Sequence, residues 1–341
     1  MTSERRKQTR TGSIPSTLIA LVLMCVALIA ALPAGAQQKG QYVPGQFGLN
    51  AGILPDPGIT YENMTINFSS DTLNGPSGNK VPLTGSYNIW AVENYFIYVP
   101  KFKFLHAKLA FAVIAPTLAN GSLTLGSINF PNVALQAGGT GLADTWVQPL
   151  TLGWSFKRAD IYVAEAFVAP TGRYSPGANN NVGSGYWGNH FVSGETFYLT
   201  KNKGTSASLF TDWEVHGSKQ TGQGTTVTPG SAFTMEWGVG QIIPIKKNFS
   251  QLFQVGVIGF DQWQVSNNGG FVTPTVPASL VPYYSSHAIG FQTNYILPAK
   301  GLNFFFKLEE DYRALASPQG QTIVFGGSYT FRIPKPQQPK P

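Results

Sequence analysis

The residues in this chain best suited to acid–base chemistry are four histidines, His106, His190, His216 and His287, with the carboxylates near them. His216 follows Asp212 and Glu214 at period-2 spacing, so on an extended strand all three project to one side. A hydrolase could use such a group as a general base with an orienting acid, although the same spacing arises readily on any polar strand face. His106 falls in a short turn, and His190 and His287 lie near strand ends. No G-x-S-x-G, H-E-x-x-H or P-loop sequence is present. Cys25 is the only cysteine, and it lies in an apolar leader. Once that leader is removed, disulfides, zinc–thiolate sites, Fe–S clusters and cysteine nucleophiles are all excluded. No metal and no cofactor is expected, and the chain reads as a non-enzyme.

The elements that must hold these residues begin after the leader. Arg5, Arg6, Lys7 and Arg10 form a positive n-region, Leu18 to Leu32 an apolar run, and Ala34-Gly35-Ala36 a signal-peptidase pattern. The run is too short for a membrane helix of about 20 residues, so cleavage after Ala36 is expected. Residues 1–36 then form a signal peptide. Residues 37–58 form an N-terminal segment, either loose in the periplasm or lodged in a lumen. A barrel spans 59–333, and 334–341 is a proline-rich periplasmic tail.

Export removes nucleic acid as a partner. Only 11% of the chain is charged, where a soluble globule carries about a quarter. Aromatics and glycine are abundant, and no mature segment is apolar enough to be a membrane helix. That combination points to a sheet whose outer face meets lipid.

Period-2 alternation over ten or more residues marks twelve segments, near 60–71, 87–99, 107–118, 142–154, 159–169, 186–199, 206–217, 231–243, 251–264, 286–297, 303–314 and 321–332. In 303–314, Phe304, Phe306, Leu308 and Tyr312 oppose Lys307, Glu309, Asp311 and Arg313. Two segments, 142–154 and 159–169, are ambiguous, because Gln148 and Glu165 share a parity with bulky apolar neighbours. Soluble strands average about five or six residues; a tilted membrane strand needs about 9–11. The connections alternate, short at 100–106, 155–158, 200–205, 244–250 and 298–302, long at 72–86, 119–141, 170–185, 218–230 and 265–285, with 315–320 a short one on the long side. Lys101, Lys103, Lys157, Arg158, Lys201, Lys203, Lys246, Lys247 and Lys300 all fall in the short set. Aromatics gather near strand ends, Tyr98, Trp154, Phe156, Tyr198, Phe249, Tyr295 and Phe331 on one side and Phe68, Tyr87, Tyr174, Trp187 and Tyr312 on the other. Short periplasmic turns, long outer loops, interfacial aromatics and an even strand number describe an outer-membrane barrel. The expected fold is therefore an all-β, antiparallel transmembrane β-barrel of about 12 strands with periplasmic termini.

Twelve strands set a narrow bore, between the side-chain-filled barrels of about eight strands and the open ones of 16–18. The polar face predicts a lumen lined by Glu195, Asp212, Glu214, His216, Glu236, Gln254, Gln292, Asn294, Lys307, Glu309, Asp311 and Arg313, with Glu165 and Lys108 as further candidates. Such an acidic interior would either disfavour small anions or form salt bridges between neighbouring strands. Twelve-stranded outer-membrane phospholipases carry a serine–histidine pair on the lipid face, and no serine signature in the sequence marks one here.

The mature chain resembles the MetA-pathway phenol-degradation family of outer-membrane transporters. The resemblance rests on Gly141-Leu142-Ala143-Asp144 and Pro170-Thr171-Gly172-Arg173-Tyr174. It rests also on Gly256-Val257-Ile258-Gly259-Phe260 with Gln262, and on Lys307 to Arg313. It implies uptake of small aromatic or hydrophobic compounds, and no catalytic residue transfers with it. The expected function is an outer-membrane channel admitting such solutes by passive diffusion, with membrane lipid and the solute as its partners. The alternative is a structural or adhesive barrel that binds an external partner through its long loops. A hydrolase centred on His216 is the third reading.

Overall fold

The computed structural model describes residues 40–127 and 134–332. The leader expected over 1–36 and the tail expected over 334–341 lie outside them. Alternating faces and turn residues produce fourteen principal strands among the described residues. They are β1 (Gly58–Asn74), β2 (Leu83–Val99), β3 (Ala107–Ile114), β4 (Leu118–Ser127), β5 (Ala134–Leu142), β6 (Thr145–Ser155) and β7 (Ala159–Ala169). After these come β8 (Gly188–Tyr198), β9 (Thr205–His216), β10 (Ala232–Pro244), β11 (Leu252–Gln264), β12 (Ser285–Leu297), β13 (Leu302–Leu315) and β14 (Ser317–Arg332).

Twelve of them form a closed antiparallel ring in the order β3-β6-β7-β8-β9-β10-β11-β12-β13-β14-β1-β2, with β2 returning to β3. The last strand closes on the first, from Gly58 against Arg332 to Asn74 against Ser317. Closure leaves the ring itself without an open edge, which a sheet in lipid requires because acyl chains offer no hydrogen-bond partner. No helix among the described residues is long and apolar enough to cross a membrane.

The segment 119–141, expected as a long loop, is instead a hairpin. β2 pairs with β3 only from Tyr95 to Tyr98 and then, from Leu83 to Val92, with β4. The switch falls at Ala115-Pro116-Thr117, where proline lacks the N–H that would continue the ladder. The β4–β5 hairpin thus extends the wall above the ring on the long-loop rim. A second small sheet covers that rim, built from Lys219–Gln220, Thr226–Thr228, Gly269–Thr273 and Val276–Pro277.

Two bulges resolve which side chains face inward. In β6 the register slips between Val147 and Leu150, so Gln148 and Thr151 both turn inward and Pro149 and Leu150 outward. In β13 it slips at Tyr312, so Asp311 points inward while Tyr312 and Arg313 point out and are exposed. Phe68 and Tyr87, expected in the outer aromatic girdle, face the lumen instead.

Candidate functional site

Residues 40–57 run through the lumen, from Gly40 near the long-loop rim to Pro55 near the short-turn rim, and the wall holds their backbone. The Glu236 carboxylate accepts the Tyr42 hydroxyl at 2.5 Å and the amides of Gly45, Gln46 and Phe47 at 2.8, 3.3 and 2.7 Å. The Lys307 ammonium donates to the carbonyls of the same three residues, at 3.1 Å to Gly45 and 2.6 Å to Phe47, with Gln46 between them. One turn is therefore clamped by an anion on its amides and a cation on its carbonyls. Gly45 adopts φ +94°, and a Cβ there would stand 2.7 Å from a Glu309 carboxylate oxygen; only glycine fits.

Further contacts pin the segment along its length. Gln41 and Tyr42 donate their amides to Glu214, which also receives His216 Nε2 at 3.0 Å. Leu49 donates to Gln292, Asn50 to Ser208, and Gly52 to Thr196, each at 2.9 Å. The Asn50 side chain exchanges hydrogen bonds with Gln254, whose Oε1 also accepts from Asn294.

Asp212, Glu214, His216, Glu236, Gln254, Gln292, Asn294, Lys307, Glu309 and Asp311 are thus all buried inside the ring. Asp212 holds His190 at 3.0 Å, and among the described residues neither histidine pair, His190–Asp212 nor His216–Glu214, reaches a serine hydroxyl. Two residues of the predicted lumen set are elsewhere. Glu195 is on the outward face of β8, because His190, Val192 and Thr196 fix the inward parity. Arg313 is turned outward by the bulge at Tyr312. Glu165 is outward as well, opposite exposed Leu150 and Phe191. Lys108 reaches the Pro55 carbonyl at 3.4 Å.

Above the clamped turn lies a cavity of about 320 Å³. Tyr42 and Phe47 form its floor. Ile66, Phe68, Tyr87, Ile89, Ala91 and Tyr95 line one wall, and Trp146, Tyr162, Val192, Phe210 and Phe260 line the other. Phe47 stacks on Phe210 with ring centroids 4.0 Å apart and planes 10° from parallel. The hairpin supplies Ala119, Leu123 and Ala137. Apolar groups make up most of this lining, although polar side chains such as Asp144, Gln148 and Asn181 also reach it. Gln262 Oε1, Ser286 Oγ and one Glu93 oxygen are buried without a protein partner, so the cavity offers hydrogen-bonding atoms inside an apolar shell. Its volume is that of a pocket for one small organic molecule.

The fold matches that of an outer-membrane channel from Pseudomonas putida F1, with a TM-score of 0.65 at 13% identity, covering 85% of this chain and 100% of that one. The β domain of a Bordetella autotransporter gives 0.49 at 8% identity, covering 81% and 100%. No curated protein matches the chain. The family model described as "Putative MetA-pathway of phenol degradation" matches residues 70–323. The chain belongs to that family.

In this member of the phenol-degradation family, the cavity wall is the part that strand-by-strand patterning misses. β1 and β2 invert the usual barrel pattern: Met64, Ile66 and Ala91 are buried inward, whereas Asn63, Asn67 and Asn94 sit on the outward parity. Those outward amides are satisfied locally. Asn94 accepts from Tyr61 at 2.8 Å and from Asn63 at 3.2 Å, and donates to Pro116 at 2.7 Å. Glu93 shares its side of β2 with apolar Tyr87, Ile89, Ala91 and Tyr95, so its inward position shows in the sequence only as one acid in an apolar alternation.

Proposed function

We propose that the protein is an outer-membrane channel that takes up small hydrophobic or aromatic compounds by passive diffusion. The short turns face the periplasm and the long loops face outward. The cavity carries this reading: an aromatic-lined space inside a barrel lumen favours a nonpolar solute, which gains about 25 cal/mol for each Å² of apolar surface removed from water. The polar lumen beneath it is taken up by the threaded segment. A hydrated ion therefore meets a stoppered bore, and a nonpolar solute meets a receptive one. Family membership, with its phenol-degradation description, agrees with an aromatic cargo.

The alternative of a loop-borne adhesive surface draws on Phe271, Leu280 and Tyr283, exposed near the small outer sheet, but gives the cavity no role. The two readings separate in vesicles carrying the folded protein. Saturable binding of N-phenyl-1-naphthylamine, displaced by toluene and abolished by Ala91→Trp, is the expected outcome. Absence of saturable binding, with Ala91→Trp indistinguishable from wild type, removes the channel reading.

A further inference from the structure

The outward face of the barrel holds a second arrangement, independent of the lumen. His287 Nδ1 lies 2.8 Å from Asp261 Oδ1, and His287 Nε2 lies 3.1 Å from Ser285 Oγ. Ser285 and His287 are two apart on β12 and share its outward parity. Asp261 is the direct cross-strand partner of His287 on β11. With Nδ1–H donating to the carboxylate, Nε2 is left to accept the serine proton. This is the connectivity of a hydrolytic triad: nucleophile, base and orienting acid, each within hydrogen-bond reach of the next.

The surroundings match that use. Trp237 Nε1 donates to the other Asp261 oxygen at 3.2 Å, and the Tyr312 hydroxyl reaches Asp261 at 3.3 Å, so the carboxylate is fixed from three sides. Tyr312 is the extra residue of the β13 bulge, a feature that re-aims side chains and is frequent beside active sites. The three residues lie at the long-loop ends of their strands, within an aromatic belt. Trp213, Phe233, Trp263, His287 and Tyr312 follow one another at centroid spacings of 6.0, 6.1, 5.3 and 6.0 Å. Such belts sit where headgroup meets acyl chain.

We propose that Ser285, His287 and Asp261 form a serine-hydrolase site for carboxylic esters of amphiphiles lying in the outer interface. Ser285 Oγ bonds to the ester carbonyl carbon and gives its proton to His287 Nε2. The carbon–oxygen bond to the alcohol breaks, and the alcohol leaves with that proton. Water then attacks the acyl-serine, its proton passing through His287 back to Ser285, and the carboxylic acid departs. Asp261 positions the imidazole and stabilises its cation. Ser285 is only 4% exposed, which directs the site toward a chain inserted among the belt side chains rather than toward a freely soluble ester.

The test uses the full folded chain in detergent micelles, with folding checked by heat-dependent gel mobility. A long-chain alkyl fluorophosphonate is expected to form a covalent adduct that peptide mass spectrometry places on Ser285. Fatty-acid release from phosphatidylcholine in mixed micelles is expected to fall by about a thousandfold or more in Ser285→Ala and His287→Gln. Asp261→Asn is expected to slow adduct formation and displace its pH profile while gel mobility stays as in wild type. Wild-type protein with no adduct on Ser285, or fatty-acid release that Ser285→Ala leaves unchanged, overturns the proposal.

Discussion

At the scale of single residues, Glu236 and Lys307 clamp the turn from Gly45 to Phe47 from opposite sides. Lys307→Met removes the ammonium on those three carbonyls and leaves Glu236 buried without its counter-charge. Breaking one side of a buried pair costs about 3–5 kcal/mol, so the threaded segment should detach. The expected outcome is new proteolytic cleavage within 40–57 in a barrel that still resists unfolding. Adding Glu236→Gln should recover part of the loss, because the orphaned charge is gone. A cleavage pattern identical to wild type would show that the clamp does not hold the segment. Lys219, in the small outer sheet, makes a second residue-scale prediction. It lies 5.3 Å from the Tyr186 ring centre and 5.9 Å from that of Tyr174. Burial pushes its amine down to about 8, with Asp144 opposing the shift. The unfolded loop holds that proton up to about 10.4, so it binds more protons than the folded loop in between. Stability of the outer sheet should therefore rise as pH climbs from about 8 to about 10. Limited subtilisin digestion of residues 217–231 should slow across that range, and Lys219→Met should flatten the response.

At the scale of elements, the β4–β5 hairpin does not complete the ring, but it does complete the cavity. Replacing 115–144 with a short turn leaves β2 joined to β3 at Tyr95–Tyr98 and β3 joined to β6, so the barrel should still fold. The cavity loses Ala119, Leu123 and Ala137, and each 1.4 kcal/mol of lost apolar contact weakens binding tenfold. A fall of about tenfold or more in N-phenyl-1-naphthylamine affinity, with heat-dependent mobility retained, is the expected result; unchanged affinity would place the solute elsewhere. Strand number, closure and the division into short turns and long loops were legible in the sequence because alternation repeats over many residues. The hairpin was not, because its Gly- and Ser-rich strands carry the composition of a loop. Gln148 and Arg313 show why inward residues cannot be counted by parity alone: one extra residue in a bulge reverses every later position. Glu195 was misplaced for a different reason: Asn189 and Ser193 share its parity and make that side of the strand look polar, until buried His190, Val192 and Thr196 fix the other side as inward. The serine–histidine–aspartate group was invisible because Asp261 is far from His287 in sequence and meets it only through the β11–β12 register.

At the scale of the whole molecule, the threaded segment and the cavity are one device. Tyr42, Val43, Pro44 and Phe47 belong to the segment and also line the cavity, so a bound solute touches the docked segment directly. Two outcomes are physically distinct. If the docked segment forms part of the binding surface, solute binding must stabilise docking, by reciprocity of linkage. If the solute binds only by displacing the segment, occupancy must undock it. The Phe47–Phe210 stack favours the first, because releasing the segment would strip an aromatic floor from the site. Toluene at about a hundred times its dissociation constant should then stabilise the docked state by up to about 2.7 kcal/mol. That would slow cleavage within 40–57 by as much as two orders of magnitude. The protection should vanish in Ala91→Trp, whose cavity is filled, and its baseline should drop in Lys307→Met. Faster cleavage on adding toluene would reverse the coupling and make the segment a competitor of the solute, with exit toward the periplasm following displacement rather than preceding it.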